Sequence, residues 1–308
     1  MPRVPRLSLL ILVLAFGACS GGSVHSNRQI SSIGPREYAS EKLRAAGLNE
    51  DFLQLLFNNY RDDQRAKVLD LNLLGFLRSS KATGDEKIPG WELGRVEKFI
   101  RAHRKEFMRA EKKYPVPKEV IASLLWVETK HGKDLGTFHV GSAFLSLVEA
   151  DYPTILDQTL DSARKKTSEF TPVIEAKIID RSRAKSTWAV SELVALQEVH
   201  RRGLKDVTKL SGSFSGAFGM AQFLPSSYLT WAKGKKLEPN LFKADDSILS
   251  VANYLSSNGW TKKDRESHEA ALFHYNRDRA YVTRILRMSN CLKKAQKAKR
   301  KTASTKGC

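Results

Sequence analysis

Between Pro117 and Gly132 the chain places a carboxylate where a helix must bury apolar side chains. Proline suits a first helical turn and glycine the left-handed residue after a last one, so this spacing predicts one helix between them. At about 100° per residue, Ile121, Leu124 and Leu125 form one face, and Glu128 projects within about 20° of Ile121 on that face. A carboxylate turned inward is costly unless it is paired or protonated, so burial raises its pKa and makes Glu128 a candidate general acid. This helix alone leaves a second reading open, a hydrogen-bonded structural glutamate at a helix end.

A glycine-punctuated segment, Gly212-Ser-Phe-Ser-Gly-Ala-Phe-Gly-Met-Ala-Gln-Phe-Leu-Pro-Ser-Ser-Tyr228, narrows the choice. Its glycines at 212, 216 and 219 fit neither the dinucleotide fingerprint nor a P-loop, and no Gly-Lys-Ser/Thr follows, so no phosphate cradle is implied. Phe214, Phe218, Met220, Phe223 and Leu224 are too apolar for a freely solvated loop. The small residues permit close backbone approach, and Pro225-Ser226-Ser227 opens a further helix. A third element, Phe273-His-Tyr-Asn-Arg277 with Tyr281 beyond it, reads as a late helix whose tyrosines offer a flat face and a hydroxyl, as sugars require. Taken alone, these tyrosines also fit ordinary half-buried aromatics.

Together these elements resemble the membrane-bound lytic murein transglycosylase B family, enzymes that cut the glycan strand of bacterial peptidoglycan, over about residues 40 to 290. The resemblance implies a catalytic role for Glu128 in Val127-Glu-Thr-x-x-Gly132, and saccharide-site roles for Ser213 and Gln222. Ser250-Val-Ala-Asn-Tyr254 and Tyr275-Asn-x-x-x-x-Tyr281 match further site-lining positions, which carries substrate-binding roles onto Tyr254, Tyr275, Asn276 and Tyr281. Tyr114-Pro-Val-Pro117 also has the family's look. Two departures stand out. After Asp151-Tyr-Pro153, where family members often continue with two arginines, this chain has Thr154-Ile155, which weakens a claim to peptide-stem binding there. After Tyr228, Trp231-Ala-Lys-Gly-Lys-Lys-Leu-Glu-Pro-Asn240 lacks the alternating oxygen ligands of a calcium loop, and none of the seven histidines has a zinc-ligand spacing, so neither metal nor cofactor is expected.

The resemblance implies a mainly α fold: a lysozyme-like helical core with a small β element, plus an N-terminal helical lobe. Periodicity places helices over 43–57, 91–114, 187–202, 247–257 and 269–286 besides the Glu128 helix. With 41% hydrophobic and 28% charged residues in 308, the chain has the composition of a globular protein. Residues 1–18 carry arginines at 3 and 6, an apolar core from Leu7 to Phe16 and small residues before Cys19, the layout of a secretory signal. Cys19 sits where a bacterial lipoprotein is cleaved and lipidated, with plain signal cleavage as the alternative. Residues 19–35 then read as a lipid-anchored flexible linker, 36–290 as the catalytic domain and 291–308 as a basic disordered tail.

The chain has 52 Lys plus Arg against 33 Asp plus Glu, and seven of the cations fall in the last sixteen residues with no acid among them. Such a run suits an anionic polymer or lipid surface. Nucleic acid is not expected, because no recognition-helix, zinc-finger or RNA-binding signature is present. Export would place Cys291 and Cys308 in an oxidising compartment, which leaves two readings open: a disulfide that closes the tail, or a free terminal thiol at its end. The expected setting is therefore the periplasm, on the outer membrane through Cys19, as a monomer acting on peptidoglycan strands.

Most glycoside hydrolases use two carboxyl groups, and this chain advertises one. The lytic transglycosylase mechanism that the resemblance implies needs only Glu128, which protonates the bond between N-acetylmuramic acid and N-acetylglucosamine and then takes the proton of the sugar's own 6-hydroxyl. A hydrolytic muramidase would need a second acid, with Glu149 or Asp151 as candidates. A catalytically weak wall-binding scaffold would need a closed groove at Glu128. His131, just past Glu128, reads as a polar neighbour rather than a base.

Overall fold

The computed structural model describes residues 33–78, 83–262 and 264–299. The signal segment, Cys19, most of the linker and Cys308 lie outside the described residues. Thirteen α-helices and one two-stranded sheet are formed among the described residues. They are α1 (Pro35–Ala45), α2 (Glu50–Asn58), α3 (Arg65–Leu73), α4 (Gly90–Ala102), α5 (Arg104–Lys113) and α6 (Lys118–Thr129), then β1 (Phe138–His139), α7 (Val140–Val148), α8 (Pro153–Lys166) and α9 (Pro172–Arg201). β2 (Ser211–Gly212), α10 (Pro225–Trp231), α11 (Ala244–Ser257), α12 (Arg265–Tyr275) and α13 (Arg279–Lys299) complete the order. No helix among the described residues is long and apolar enough to cross a membrane.

The helices form two groups. α1–α3 pack with α7–α9, while α4–α6 pack with α11–α13, and α10 bridges α9 to α11. The antiparallel pair β1–β2, with Phe138 opposite Gly212, ties the segment after α6 to the start of the glycine segment. α6 runs through the second group: Val120 through Trp126 are all buried, and α4, α5, α11 and α13 pack around it.

Several expected helices are broken by local caps that an amphipathic pattern runs straight across. The helix expected over 43–57 is two, because Gly47 adopts φ 91° and the Asn49 side chain accepts the Phe52 N–H at 2.8 Å, starting α2 afresh. The one expected over 91–114 breaks at His103, whose carbonyl accepts the N–H groups of Glu106 and Phe107. The one expected over 269–286 breaks at Asn276, where the backbone is extended, and Asp278 accepts the Ala280 N–H at 2.8 Å to start α13. The tail expected to be disordered from 291 is instead helical through Lys299, in keeping with its run of Lys, Ala, Leu and Gln. Cys291 is disulfide-bonded, and the expected pairing with Cys308 lies outside the described residues.

Candidate active site

α6 starts at Pro117, as its N-cap, and ends at Thr129, three residues before the expected glycine. Lys130, His131 and Gly132 then all take the left-handed region, with φ of 51°, 58° and 86°. Two successive non-glycine residues in this region are strained, so surrounding contacts must hold them. The His131 ring stacks on Phe99 with centroids 3.8 Å apart, and its Nε2–H donates to the Ala122 carbonyl at 2.9 Å. Burial pulls its pKa down to about 4, so the ring is neutral near pH 7 and serves as a wedge rather than a base. The Thr129 hydroxyl accepts the Gly132 N–H at 3.0 Å and donates to the Met220 carbonyl at 3.0 Å, fastening the end of α6 to the glycine segment.

That segment is folded against buried walls. Gly216 (φ 78°) lies against the Phe144 ring and Gly219 (φ 74°) against Leu241, and a Cβ at either would collide. Ser213 accepts the N–H groups of Ser215 and Ala217 at 3.3 and 3.2 Å, which curls the backbone into a tight turn. Gln222 takes φ 48°, and its amide nitrogen donates to Gly219 and Leu135 carbonyls at 2.9 and 3.3 Å. Its carbonyl oxygen is what remains to offer a ligand.

The two helical groups leave a groove of about 1020 Å³ between them. Glu128, Ser213, Gln222, Tyr275 and Asn276 all line it, so five of the seven expected sugar-site residues meet on one surface. Glu128 is its one carboxylate among the described residues. Glu128 is half-buried, and the Tyr281 hydroxyl donates to its Oε1 at 2.5 Å. Desolvation raises its pKa to about 7, while the hydrogen bond from Tyr281 and the charge of Lys130 pull the other way. Near neutral pH, Glu128 is therefore poised to give a proton and to take one back.

Tyr254 and Tyr281, expected to stack on sugars, lie behind the groove wall. Tyr254 is 7% exposed, with its hydroxyl 2.9 Å from His274 Nδ1, and Tyr281 is 8% exposed and committed to Glu128. Tyr275 stands between them, edge-on to Tyr254 at 4.6 Å and parallel to Tyr281 at 6.5 Å, with its hydroxyl donating to the Ala221 carbonyl. The three rings brace one another, and the hydroxyl of Tyr281 is thereby aimed at Glu128. Behind them, Arg284 of α13 and Trp126 Nε1 of α6 both donate to buried Glu92, at 2.8 and 3.0 Å, locking α13 to α6.

The alternative second acids are elsewhere. Glu149 is held by Arg65 at 3.3 Å and Asp151 by Lys42 at 2.9 Å, and neither lines the groove. Glu192 is also buried, but it caps α10 by accepting the Ser226 N–H at 3.0 Å and its hydroxyl at 2.7 Å. Sequence reasoning missed the opposite wall, formed by Arg181, Lys185 and Trp188 of α9, and missed His274 and Arg277 at the rim. Arg181, Lys185 and Arg277 are unremarkable among the many cations of this sequence, and Trp188 and His274 stand singly within helical stretches. Away from the groove, His103, Glu106 and Asp245 bring possible metal-ligand atoms within 4.8 Å of one another. Arg109 already pairs with Glu106 at 3.2 Å and Lys235 with Asp245 at 2.7 Å, which meets the charge a cation would supply.

Residues 35–305 match the family model described as the transglycosylase SLT domain. The chain belongs to that family. Among curated proteins, it is 30% identical over 159 residues to the membrane-bound lytic murein transglycosylase B of Escherichia coli (strain K12), a match covering 51% of this chain and 36% of that relative. The match thus spans about a third of the relative's length. The soluble lytic transglycosylase SltB1 of Pseudomonas aeruginosa superposes with a TM-score of 0.61 at 20% identity, over 85% of this chain and 99% of that one. The E. coli lytic transglycosylase Slt35, solved in complex with bulgecin A, gives 0.62 at 18% identity over 85% and 93%. SltB3 of P. aeruginosa, solved in complex with NAG-anhNAM-pentapeptide, gives 0.60 at 14% identity over 84% and 78%. These likenesses establish for this SLT-domain chain the helical, lysozyme-like architecture expected from its sequence.

Proposed function

We propose that this chain is a peptidoglycan lytic transglycosylase that cleaves the β-1,4 bond between N-acetylmuramic acid and N-acetylglucosamine, with Glu128 as its single acid and base. The observation that carries this reading is the lone, half-buried carboxyl group on the groove, with its pKa raised to about 7. Protonated Glu128 gives its proton to the glycosidic oxygen as the bond to carbon 1 of the muramyl unit breaks, releasing the N-acetylglucosamine hydroxyl. The resulting carboxylate then takes the proton of the muramyl 6-hydroxyl, whose oxygen closes on carbon 1 as the 1,6-anhydro product. No water is consumed and no second carboxylate takes part, consistent with Glu149 and Asp151 being engaged elsewhere. An intramolecular nucleophile supplies the proximity that a bound water would otherwise have to provide.

Ser213, Gln222 and Asn276 line the groove with polar groups that suit sugar hydroxyls and acetamides. Tyr275 joins them at the wall, while Tyr254 and Tyr281 act from behind it. No cofactor is required by this chemistry. In the same reading the mature chain starts at a lipidated Cys19, a linker to residue 35 holds the domain of residues 36–290 on the periplasmic face of the outer membrane, and the protein works as a monomer. The similar E. coli protein is named membrane-bound, which supports the anchor. The test is digestion of purified sacculi followed by mass analysis. Anhydro-muropeptides with no incorporated solvent oxygen are expected from the parent, and almost none from Glu128→Gln. Reducing muramyl ends carrying solvent oxygen at carbon 1 would establish a hydrolase instead.

A further inference from the structure

The segment between α10 and α11, which lacks the oxygen ligands of a calcium loop, is instead a lysine-rich loop with an apolar tip. Asp246 shapes it from inside: its carboxylate accepts the backbone N–H groups of Lys235 at 3.3 Å and Asn240 at 2.7 Å. Tyr228 donates its hydroxyl to the Pro239 carbonyl at 2.7 Å, and the Ser250 hydroxyl oxygen accepts the Lys233 N–H at 2.9 Å. At its base, Leu241 is buried against Gly219, and its carbonyl accepts the Met220 N–H at 2.7 Å, which joins the loop to the glycine segment. The loop is therefore held in one shape from the protein's interior.

Packing does not account for what the loop presents to solvent. Leu237 at its tip is 96% exposed, more than any other large apolar side chain among the described residues, and Phe242 further along is 39% exposed. Lys233, Lys236 and Lys243 are exposed on the same stretch, and Lys205 approaches from the turn after α9. A hollow of about 650 Å³ beside Leu237 is rimmed by Lys205, Lys235, Lys236 and Lys243. Of the acids there, Asp245 is paired with Lys235 at 2.7 Å and Asp246 is occupied by the backbone N–H groups, which leaves Glu238 against three lysines. Among the described residues, Lys205, Lys236 and Lys243 make no ion pair.

A leucine held in water by a braced loop, with unpaired lysines around it, complements a surface that is apolar just beneath an anionic layer. A bilayer bearing anionic phospholipids has that layering: an aliphatic side chain at the loop tip buries at the headgroup and acyl boundary while ammonium groups meet headgroup phosphates. An anionic polysaccharide would use the lysines and leave Leu237 in water. We propose that the loop of residues 232–243 is a membrane-contact site that inserts Leu237 into an anionic phospholipid surface, separately from any acyl group on Cys19. An acyl chain on a flexible linker keeps a domain near a bilayer without orienting it. A loop braced on Gly219 also fixes which way the groove faces.

The test is co-sedimentation of purified Cys19→Ala protein, which carries no acyl group at that position, with vesicles of phosphatidylcholine alone and of phosphatidylcholine mixed with phosphatidylglycerol. The mixed vesicles should bind about tenfold more tightly than the neutral ones. In this background Leu237→Ser should weaken binding to the mixed vesicles about fivefold, and that loss should persist as salt rises because it is apolar. Lys236→Glu should weaken the same binding about tenfold, with about a twofold effect or less on neutral vesicles, and its effect should fade with salt. The basic tail is common to all three proteins and cancels from these comparisons. Both side chains are exposed and neither lines the catalytic groove, so turnover on short soluble glycan should be unchanged, which separates loss of the contact from damage to the fold. Mixed vesicles bound equally by the background protein and Leu237→Ser would overturn the insertion and leave a polyanion site, and Lys236→Glu without effect would overturn the contact altogether.

Discussion

Glu128→Gln should stabilise the folded protein at the same time as it removes turnover. A carboxyl group with a pKa of about 7 in the folded chain and 4.5 unfolded binds more protons when folded between those limits. Stability therefore falls as pH rises from about 4.5 to about 7 and stays low above. At about 1.4 kcal/mol per unit, the shift corresponds to at most about 3.5 kcal/mol, and partial hydration of a half-buried group reduces that to about 1–2. Glutamine keeps the volume, and its carbonyl still accepts the Tyr281 hydroxyl, so the substitution removes the ionisation and little else. Urea unfolding of both proteins at pH 4.5 and pH 8 is the assay. The variant should gain about 1–2 kcal/mol over the parent at pH 8 and almost nothing at pH 4.5. Turnover on sacculi should fall on the order of a hundredfold or more at both. An equal difference at the two pH values would show that Glu128 is not desolvated, and the argument for its raised pKa would fail.

Three further outcomes follow from neighbouring contacts. Tyr281→Phe removes a donor that favours the ionised carboxylate, so the Glu128 pKa should rise by about one unit and the alkaline limb of the pH–rate profile should move up with it; a limb that moves to lower pH would contradict the assignment. Arg284→Met leaves buried Glu92 with only the Trp126 donor, and should cost about 2–4 kcal/mol in denaturant unfolding, with a larger loss of turnover than any change in substrate affinity as α13 loosens behind Tyr281. Cys19→Ala should move the mature protein from the membrane fraction to the soluble periplasmic extract, and an unmodified parent N-terminus by mass spectrometry would remove the anchor.

What the sequence made legible was whatever local spacing encodes. Glu128 could be placed on the inner face of its helix because Ile121, Leu124 and Leu125 mark that face, and the glycine segment declared itself by being too apolar for a solvent loop. The first half of α9 was hidden for a physical reason: Ser182 and Ser186 occupy its buried face, each 0% exposed, so the stretch reads as polar although it is packed. Ser186 bonds the Val148 carbonyl at 2.7 Å, and a hydrogen bond made by a small side chain does the work that apolar periodicity would have signalled. The environment of Glu128 was hidden for another reason. Its pKa is raised by burial and held back by the hydroxyl of Tyr281, 153 residues away, while the Thr129–Met220 bond and the ion pair between Arg284 and Glu92 fix the glycine segment and α13 against α6. None of these is a property of spacing along the chain. The carboxylate was therefore nameable from its own helix, whereas the proton affinity that makes it useful is set jointly by α6, α13 and the glycine segment. A substitution on α13 that spares every groove-lining residue should consequently still change how Glu128 titrates.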